Sequence, residues 1–367
     1  MNTFAFHLPT RILFGRGRIT ELGAHIPCAA ERIFIVTDET IATRTSILNV
    51  TLRALAGREV RTFSAVEENP SIATVEDGAR AARGFDAQLI IGLGGGSPMD
   101  AAKGVAMLAA NPASLDQYLG GEPMARPPLP VIAIPTTSGT GSEVTPYAVF
   151  TDKVAGNKIG FGNPGIFPVM ALIDPELTYS MTPSVIVNTG LDVLSHAVEA
   201  YLSTISFPLN DVLALHAIDI VLAHLGPAAV GSPESMDQMS AAAAAAGVAI
   251  AHSSTILPHI MGYPLTVFHG VPHGRASAVM MVHFLDEWKA DSSCPEKFRV
   301  LESRFAPHGG ASGFLHGLGI STKLAEYGVR ENEVALFAQK TIVKGDVKIT
   351  PAVVTVESLE RMFRSAL

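Results

Sequence analysis

The sequence predicts an α/β protein in which an N-terminal domain, with a parallel sheet and helices on both faces, precedes an all-helical domain. The first half alternates short apolar, β-branched runs with helical segments, which is typical of an open α/β layer. From about Thr182 the strand-like runs stop, and apolar residues recur with helical spacing. At 367 residues the chain exceeds one average domain, so we expect two, formed by residues 1–180 and 181–367.

Buried parallel strands are predicted where nearly every residue is apolar and a turn residue ends the run. Such runs are Arg32–Thr37, Gln88–Leu93, Pro130–Pro135 and Val169–Ile173. Helices are predicted between them at Asp77–Arg83 and Met99–Ala110. The second half has helical spacing through Val185–Leu202, Val212–Leu225, Met239–Ile256 and Ala276–Phe284.

The composition argues against several function classes. The formal charge of −8 disfavours a nucleic-acid partner and an anionic membrane surface. Cys28 and Cys294 form neither a disulfide framework nor a zinc-ribbon spacing, so we expect a reducing, cytoplasmic compartment. We expect no export signal, because the first ten residues lack a basic start followed by an apolar core. The alanine-rich segment Met239–Ala251 is too short to span a membrane and is predicted to be a packed internal helix.

A glycine-rich turn, Gly92–Asp100, follows a predicted strand and opens a predicted helix. Glycines let the backbone approach a ligand closely, and the N–H groups of a helix start suit a pyrophosphate. Pro98 suits the first helical position, and Ser97 with Asp100 resembles a capping box. The glycine spacing differs from the dinucleotide-binding pattern G-x-G-x-x-G. That pattern expects an acidic residue downstream to bind the ribose, whereas the acidic candidate here, Asp38, lies upstream of the glycines. We therefore expect a nucleotide site on a different α/β arrangement, the alternative being a tight turn without a ligand.

A second polar loop, Pro135–Glu143, also follows a predicted buried strand. Its hydroxyl groups and glycines can hydrogen-bond a nucleotide, or they can satisfy the loop's own backbone. Two such loops at corresponding ends of neighbouring strands favour a shared ligand.

A candidate metal site begins with Asp192 and His196, whose spacing of four places both side chains on one face of a helix. Carboxylate and imidazole are ligands for Zn²⁺ or Fe²⁺. A simple helix-surface contact is the alternative interpretation of this pair. Spacing alone does not choose further ligands from the nearby histidines, which are His252, His259, His269 and His273.

Together these motifs resemble the iron-containing (group III) alcohol dehydrogenase family. The shared strings run in the same order along almost the whole chain: Phe14-Gly15, Glu68-Asn69-Pro70, Gly94–Asp100, Pro135–Glu143, Asp192-x-x-x-His196 and His259–Gly274. The resemblance implies a dinucleotide-binding α/β domain and a helical metal-binding domain, in an architecture like that of dehydroquinate synthase. It implies NAD-dependent interconversion of a small primary alcohol or diol and its aldehyde or ketone, by a homodimer or larger homo-oligomer.

The resemblance also implies the site residues. The metal ligands would be Asp192, His196, His259 and His273, holding Fe²⁺, with Zn²⁺ also compatible with these donors. The pyrophosphate would contact Gly94, Gly95, Gly96 and Ser97. The remainder of the cofactor groove would be lined by Asn69, Thr136, Thr137, Thr140, Thr145 and Lys158.

Two positions that vary within the family lead to separate expectations. Asp38 falls where the adenine ribose would lie, and its carboxylate would accept bonds from the ribose hydroxyls but repel a 2′-phosphate, so we predict NAD(H) over NADP(H). Tyr263 replaces a histidine to which the family often gives a proton-relay role. A relay would then pass through Tyr263, His269, Tyr147 or water, unless His269 only forms part of the pocket wall.

Two other functions fit parts of the pattern. A metal- and NAD-dependent lyase resembling dehydroquinate synthase shares the expected architecture, but the Pro135–Glu143 loop and the Asp192/His196 pair fit the alcohol dehydrogenases better. A nucleotide-binding regulator without catalysis is the other, and the four intact ligand positions argue against it.

Overall fold

A computed structural model describes residues 3–111, 113–153 and 157–367. The chain divides into two compact units, an α/β unit of His7–Met181 and a helical unit of Thr182–Leu367. Residues 3–6 belong with the helical unit. There Phe4 stacks on Phe207, and Phe6 stacks on His252.

The α/β unit contains a six-stranded, all-parallel sheet with the strand order β1-β8-β5-β4-β2-β3 and a separate antiparallel pair, β6-β7. This confirms the predicted parallel sheet. The strands are β1 Arg11–Phe14, β2 Arg32–Val36, β3 Glu59–Phe63, β4 Leu89–Gly94, β5 Val131–Pro135, β6 Tyr147–Asp152, β7 Asn157–Gly162 and β8 Met170–Ile173. The helices are α1 Leu22–His25, α2 Glu39–Thr43, α3 Ile47–Ala54, α4 Ile72–Gly84, α5 Gly96–Ala110 and α6 Leu115–Leu119.

The central strands are apolar throughout because a hydrophobic core lies on each face of the sheet. Along β2, Phe34 and Val36 belong to one core, whereas Ile33 and Ile35 belong to the other. Successive side chains of a strand point to opposite faces, so a strand covered on both sides reads as a continuous apolar run.

Four strands, β1, β3, β6 and β7, were not predicted. β1 is an edge strand with mostly exposed side chains, and β3, at the other edge, carries Glu59 and Arg61. The hairpin β6-β7 lies outside the main sheet. One-sided or edge strands need fewer apolar residues, so the continuous-run criterion passes over them.

The helical unit contains no strand among its described residues. Its helices are α7 Pro183–Leu202, α8 Pro208–Ala229, α9 Pro233–Ser253, α10 Leu257–His269, α11 His273–Trp288, α12 Pro295–Phe305, α13 Gly310–Gly317, α14 Val334–Ile342 and α15 Val356–Ser365. The alanine-rich segment lies inside α9, which packs against α7 and α8. That helix ends at Ser253, three residues earlier than the sequence indicated, because Ser254 adopts a positive φ of 57°.

Length and hydropathy alone would let α8 cross a membrane, and α9 with α10 passes the same test as a bent pair. Core helices of soluble proteins also pass it, and α8 packs here against α7 and α9.

Candidate functional site

Helix α7 brings the first two predicted ligands into the interior of the helical unit. Thr182 caps this helix by accepting a bond from the Val185 N–H, and Pro183 occupies its first turn. Asp192 and His196 are both buried, and His196 Nε2 lies 4.0 Å from Asp192 Oδ1. The pair therefore lies inside the protein, not on an exposed helix surface.

Helices α10 and α11 each add one imidazole. His259 lies in the first turn of α10, and His273 begins α11. The Nε2 atoms of these two rings are 2.8 Å apart, and His273 Nε2 lies 3.9 Å from Asp192 Oδ1. Gly274 permits this approach, because a Cβ there would overlap the Asn188 carbonyl oxygen and lie 2.7 Å from Asp192 Cβ.

The ligand atoms of three of the four side chains, Asp192, His196 and His259, lie close enough together to hold one ion, and His273 Nε2 lies near two of them. The ligand atoms of Asp192, His196 and His259 all lie within 4.8 Å of one another. Bonds of about 2.0–2.2 Å from one ion keep any two ligand atoms within roughly 4.4 Å. The three distances of 2.8, 3.9 and 4.0 Å lie inside that limit. One carboxylate and three imidazoles form a donor set that fits a divalent transition metal.

In the α/β unit, the glycine-rich turn joins β4 to α5. Gly94 has φ +148°, and a Cβ there would lie 2.6 Å from the Pro98 ring and 3.3 Å from Asp38 Oδ2. A Cβ on Gly96 would lie 2.6 Å from Thr140 Cγ2. The glycines thus allow close packing with two of the predicted cofactor residues, Asp38 and Thr140.

The predicted helix start was wrong in detail. Helix α5 begins at Gly96 with Gly95 at the N-cap, and no side chain caps it. Pro98 is therefore the third helical residue, and no capping box forms. Ser97 Oγ accepts a bond from the Asn69 N–H at 3.0 Å instead, and Asp100 bonds to Ser142 and Val149.

Other predicted cofactor residues lie near the carboxyl ends of the neighbouring strands β2, β4 and β5. The Thr136 N–H donates to the Gly94 carbonyl at 2.9 Å, and Thr137 Oγ1 lies 3.3 Å from the Cβ position of Gly95. Parallel α/β sheets bind ligands outside the carboxyl ends of their strands. The two loops therefore lie together at an edge that suits a nucleotide.

Two further predicted cofactor residues bond to each other. Asn69 adopts a left-handed φ of 57°, and its Oδ1 accepts a bond from Lys158 Nζ at 2.7 Å. Thr145 is buried, and both its carbonyl and its hydroxyl accept bonds from Lys103.

The comparisons with known proteins show which family the chain belongs to. Residues 9–175 match the family described as iron-containing alcohol dehydrogenase, and residues 186–367 match the C-terminal domain of the Fe-containing alcohol dehydrogenase family. The chain belongs to the iron-containing alcohol dehydrogenase family. It is therefore an enzyme of the alcohol dehydrogenase class, as the resemblance indicated.

Individual relatives extend over nearly the whole chain. Lactaldehyde reductase of Escherichia coli strain K12 is 29% identical over 371 residues, covering 96% of this chain and 97% of that protein. The crystal structure of an iron-containing alcohol dehydrogenase from Thermotoga maritima is 36% identical, with a TM-score of 0.91 and coverage of 100% and 99%. The structure of sulfoacetaldehyde reductase from Bifidobacterium kashiwanohense in complex with NAD+ is 28% identical, with a TM-score of 0.91 and coverage of 100% and 99%.

Sequence reasoning missed Glu199, which contacts His259, one of the expected metal ligands. Glu199 is fully buried on α7, and its Oε1 lies 3.2 Å from His259 Nδ1. Its Oε2 accepts bonds from the Ile256 N–H at 2.8 Å and the His259 N–H at 3.3 Å. The spacing of seven from Asp192 and three from His196 places Glu199 on the same helix face, which is the signal that was available.

Burial and mutual attraction act in opposite directions on the pKa values of this pair. Burial lowers the pKa of His259, but the carboxylates of Glu199, Asp192 and Asp346 together outweigh that effect and raise it overall. Burial raises the pKa of Glu199, opposed by His259 and by the two backbone N–H groups. An Nδ1–H held by Glu199 leaves His259 Nε2 as the nitrogen available to a metal.

The two weakly predicted catalytic residues have different surroundings. The Tyr263 ring stacks on His273 at 5.6 Å between centroids and meets His259 edge-on at 6.1 Å, and burial raises its pKa. His269 Nε2 lies 3.1 Å from Glu333 Oε1, and its ring meets Phe337 edge-on. A proton relay through either residue stays a prediction.

Proposed function

We propose that the chain interconverts a small primary alcohol or diol and its aldehyde or ketone by hydride transfer with NAD(H), using a divalent metal. The observation that carries the proposal is the meeting of four donor side chains from α7, α10 and α11. Asp192, His196, His259 and His273 would hold the ion. Four protein donors exceed the three of most catalytic zinc sites, which favours Fe²⁺, although Zn²⁺ accepts the same donor types.

When bound, the ion supplies Lewis acidity, which favours a deprotonated alcohol and polarises a carbonyl group. Residues of the chain would orient the metal ligands and exclude water from them. Glu199 orients the His259 ring, and burial of Asp192 and His196 keeps bulk water from competing for the donor atoms. Tyr263 covers the His273 ring, so it would form part of the wall beside the reacting substrate.

We propose NAD(H) as the redox cofactor, bound at the glycine turn and the Pro135–Glu143 loop. Helix α5 offers free N–H groups at its start for the pyrophosphate, since no side chain caps it. Asp38 supports NAD(H) over NADP(H), because its Oδ2 faces Gly94. A carboxylate about 4 Å from a 2′-phosphate charge would repel it by roughly 4 kcal/mol at an effective dielectric of about 20.

The test is a panel of short alcohols, diols and aldehydes with NAD(H) and either Fe²⁺ or Zn²⁺, followed by NADH absorbance. We expect reversible, alcohol-dependent NADH formation that a chelator stops. A lyase resembling dehydroquinate synthase would consume its substrate without net NADH, and a regulator would bind nucleotide without turnover. Either result would refute the proposal. The homodimer or larger assembly and the cytoplasmic location stay predictions.

A further inference from the structure

A fully buried lysine lies behind the glycine turn, one helical turn after Asp100 on α5. Lys103 is 0% exposed on α5. Its Nζ donates to the Tyr147 carbonyl at 2.6 Å, to Ser142 Oγ at 2.8 Å and to the Thr145 carbonyl at 3.0 Å. Burying an ammonium group costs several kcal/mol in effective terms, and a buried ion pair is weak evidence for added stability. The lysine therefore calls for a role beyond packing.

Asp100, one helical turn before Lys103, binds the same segment of chain. Its Oδ1 accepts a bond from Ser142 Oγ at 2.6 Å, and its Oδ2 accepts one from the Val149 N–H at 2.8 Å. Glu143, also buried, adds a second carboxylate that interacts with Lys103. Helix α5 is thus fixed to residues 142–149 by a buried ionic network.

This network continues to the surface where the two cofactor loops meet. Ser142, which bonds to both Lys103 and Asp100, donates its N–H to Thr140 Oγ1 at 3.3 Å. Thr140 in turn packs on Gly96, with its Cγ2 2.6 Å from the glycine's Cβ position. A continuous path therefore links the buried lysine to the tip of the glycine turn.

We propose that Lys103 is a positioning residue of the cofactor site, holding the glycine turn and the Pro135–Glu143 loop at the spacing that lets both bind one pyrophosphate. The inference rests on the proposed NAD(H) site. Hydrogen-bond donors that are already fixed lose no conformational entropy when the ligand binds. Loops that can move apart must first be ordered, which weakens binding. The expected defect is therefore in nucleotide affinity more than in turnover.

The experiment uses the full-length, metal-loaded enzyme and NADH fluorescence titration. Lys103→Met keeps the length of the side chain and removes its three donors. We expect the Kd for NADH to rise about tenfold or more, which corresponds to roughly 1.4 kcal/mol or more for ordering the loops on binding. The KM for NAD+ should rise more than kcat falls, and the metal content should stay unchanged, because the metal-site cluster lies in the helical unit.

Two further variants keep the test decisive. Val105→Ala, at a fully buried position of the same helix, destabilises the unit without touching the network and should leave the Kd near the wild-type value. Asp100→Asn/Lys103→Met removes the lysine together with the Asp100 carboxylate, so it does not leave that carboxylate without its cationic partner, and its Kd should also be raised.

The inference is overturned if both lysine variants bind NADH as tightly as the wild type, or if Val105→Ala weakens binding equally. Wild-type enzyme that binds no NADH would refute the proposed cofactor site itself, and this inference with it. Wild-type binding with unchanged lysine variants would refute the inference alone.

Discussion

Replacement of Glu199 by glutamine tests how the metal site is built. Glu199 accepts hydrogen bonds on both oxygens, from the His259 ring on one side and from two backbone N–H groups at the start of α10 on the other. Glutamine has one acceptor oxygen, so Glu199→Gln must present its NH₂ group to one of these sides. If the NH₂ group faces His259, it donates to Nδ1, and the ring proton must then be on Nε2, the nitrogen proposed to bind the metal. Facing the backbone, it leaves the N–H groups of Ile256 and His259 without acceptors.

The expected losses of metal affinity and of folding free energy follow from these two arrangements. Loss of an outer carboxylate from a metal-bound histidine typically weakens metal binding 10–100-fold, or about 1.4–2.8 kcal/mol. Leaving buried backbone donors unsatisfied costs about 1–3 kcal/mol of folding free energy. We therefore expect weaker metal binding, lower stability of the metal-free protein, or both, with wild-type NADH binding because NADH is assigned to the α/β unit.

The assay is chelator competition for Fe²⁺ or Zn²⁺, paired with denaturant unfolding of the metal-free protein. Thr341→Val is a matched control, because it removes one buried side-chain hydrogen bond, to the Phe337 carbonyl on α14, at a fully buried position. That control should lose stability but keep its metal affinity. The reasoning is refuted if Glu199→Gln matches the wild type in metal affinity and in metal-free stability.

Three other outcomes are expected. Asp38→Gly should raise the ratio of kcat/KM for NADP+ to that for NAD+ at least tenfold, because about 4 kcal/mol of repulsion is removed. Glycine costs only a few tenths of a kcal/mol of stability at this N-cap position. Asp38→Asn should move the ratio in the same direction, and an unchanged ratio in both variants would contradict the assignment. His273→Ala should abolish turnover while the NADH Kd stays at the wild-type value, and retained turnover would remove His273 from the ligand set. Burial raises the pKa of Glu143 from 4.5 to about 7, so the folded protein binds a proton more tightly than the unfolded chain and loses stability as pH rises from 4.5 to 7. Glu143→Gln should match the wild type near pH 4.5 and be more stable by about 3 kcal/mol at pH 7.5 in urea unfolding, whereas a pH-independent difference would contradict the raised pKa.

The fold was predictable where burial leaves a regular pattern. Strands β2, β4 and β5 have a core on each face, so nearly every residue in them is apolar. The edge strands β1 and β3 and the hairpin β6-β7 lie outside this doubly covered region, so their sequences mix polar and apolar residues. The start of α5 was misassigned because Ser97 bonds to Asn69, 28 residues away, instead of capping its own helix.

The candidate ligands could be named from the sequence, but the residues that contact them could not. Asp192 and His196 were visible as a helical pair, and the family resemblance supplied His259 and His273. Glu199 and Lys103 are charged residues on helices that are rich in apolar residues. Sequence alone does not distinguish a buried charge with partners from an exposed one. Their partners are up to 60 residues away, so tertiary structure was needed to find them.

The most direct test of the central claim is anomalous diffraction at the iron edge from crystals of active, iron-loaded enzyme. We predict one peak per chain, bonded at about 2.0–2.2 Å to one oxygen of Asp192 and to one nitrogen each of His196, His259 and His273. A strong peak elsewhere, or active crystals with no metal bonded to these four side chains, would contradict the account.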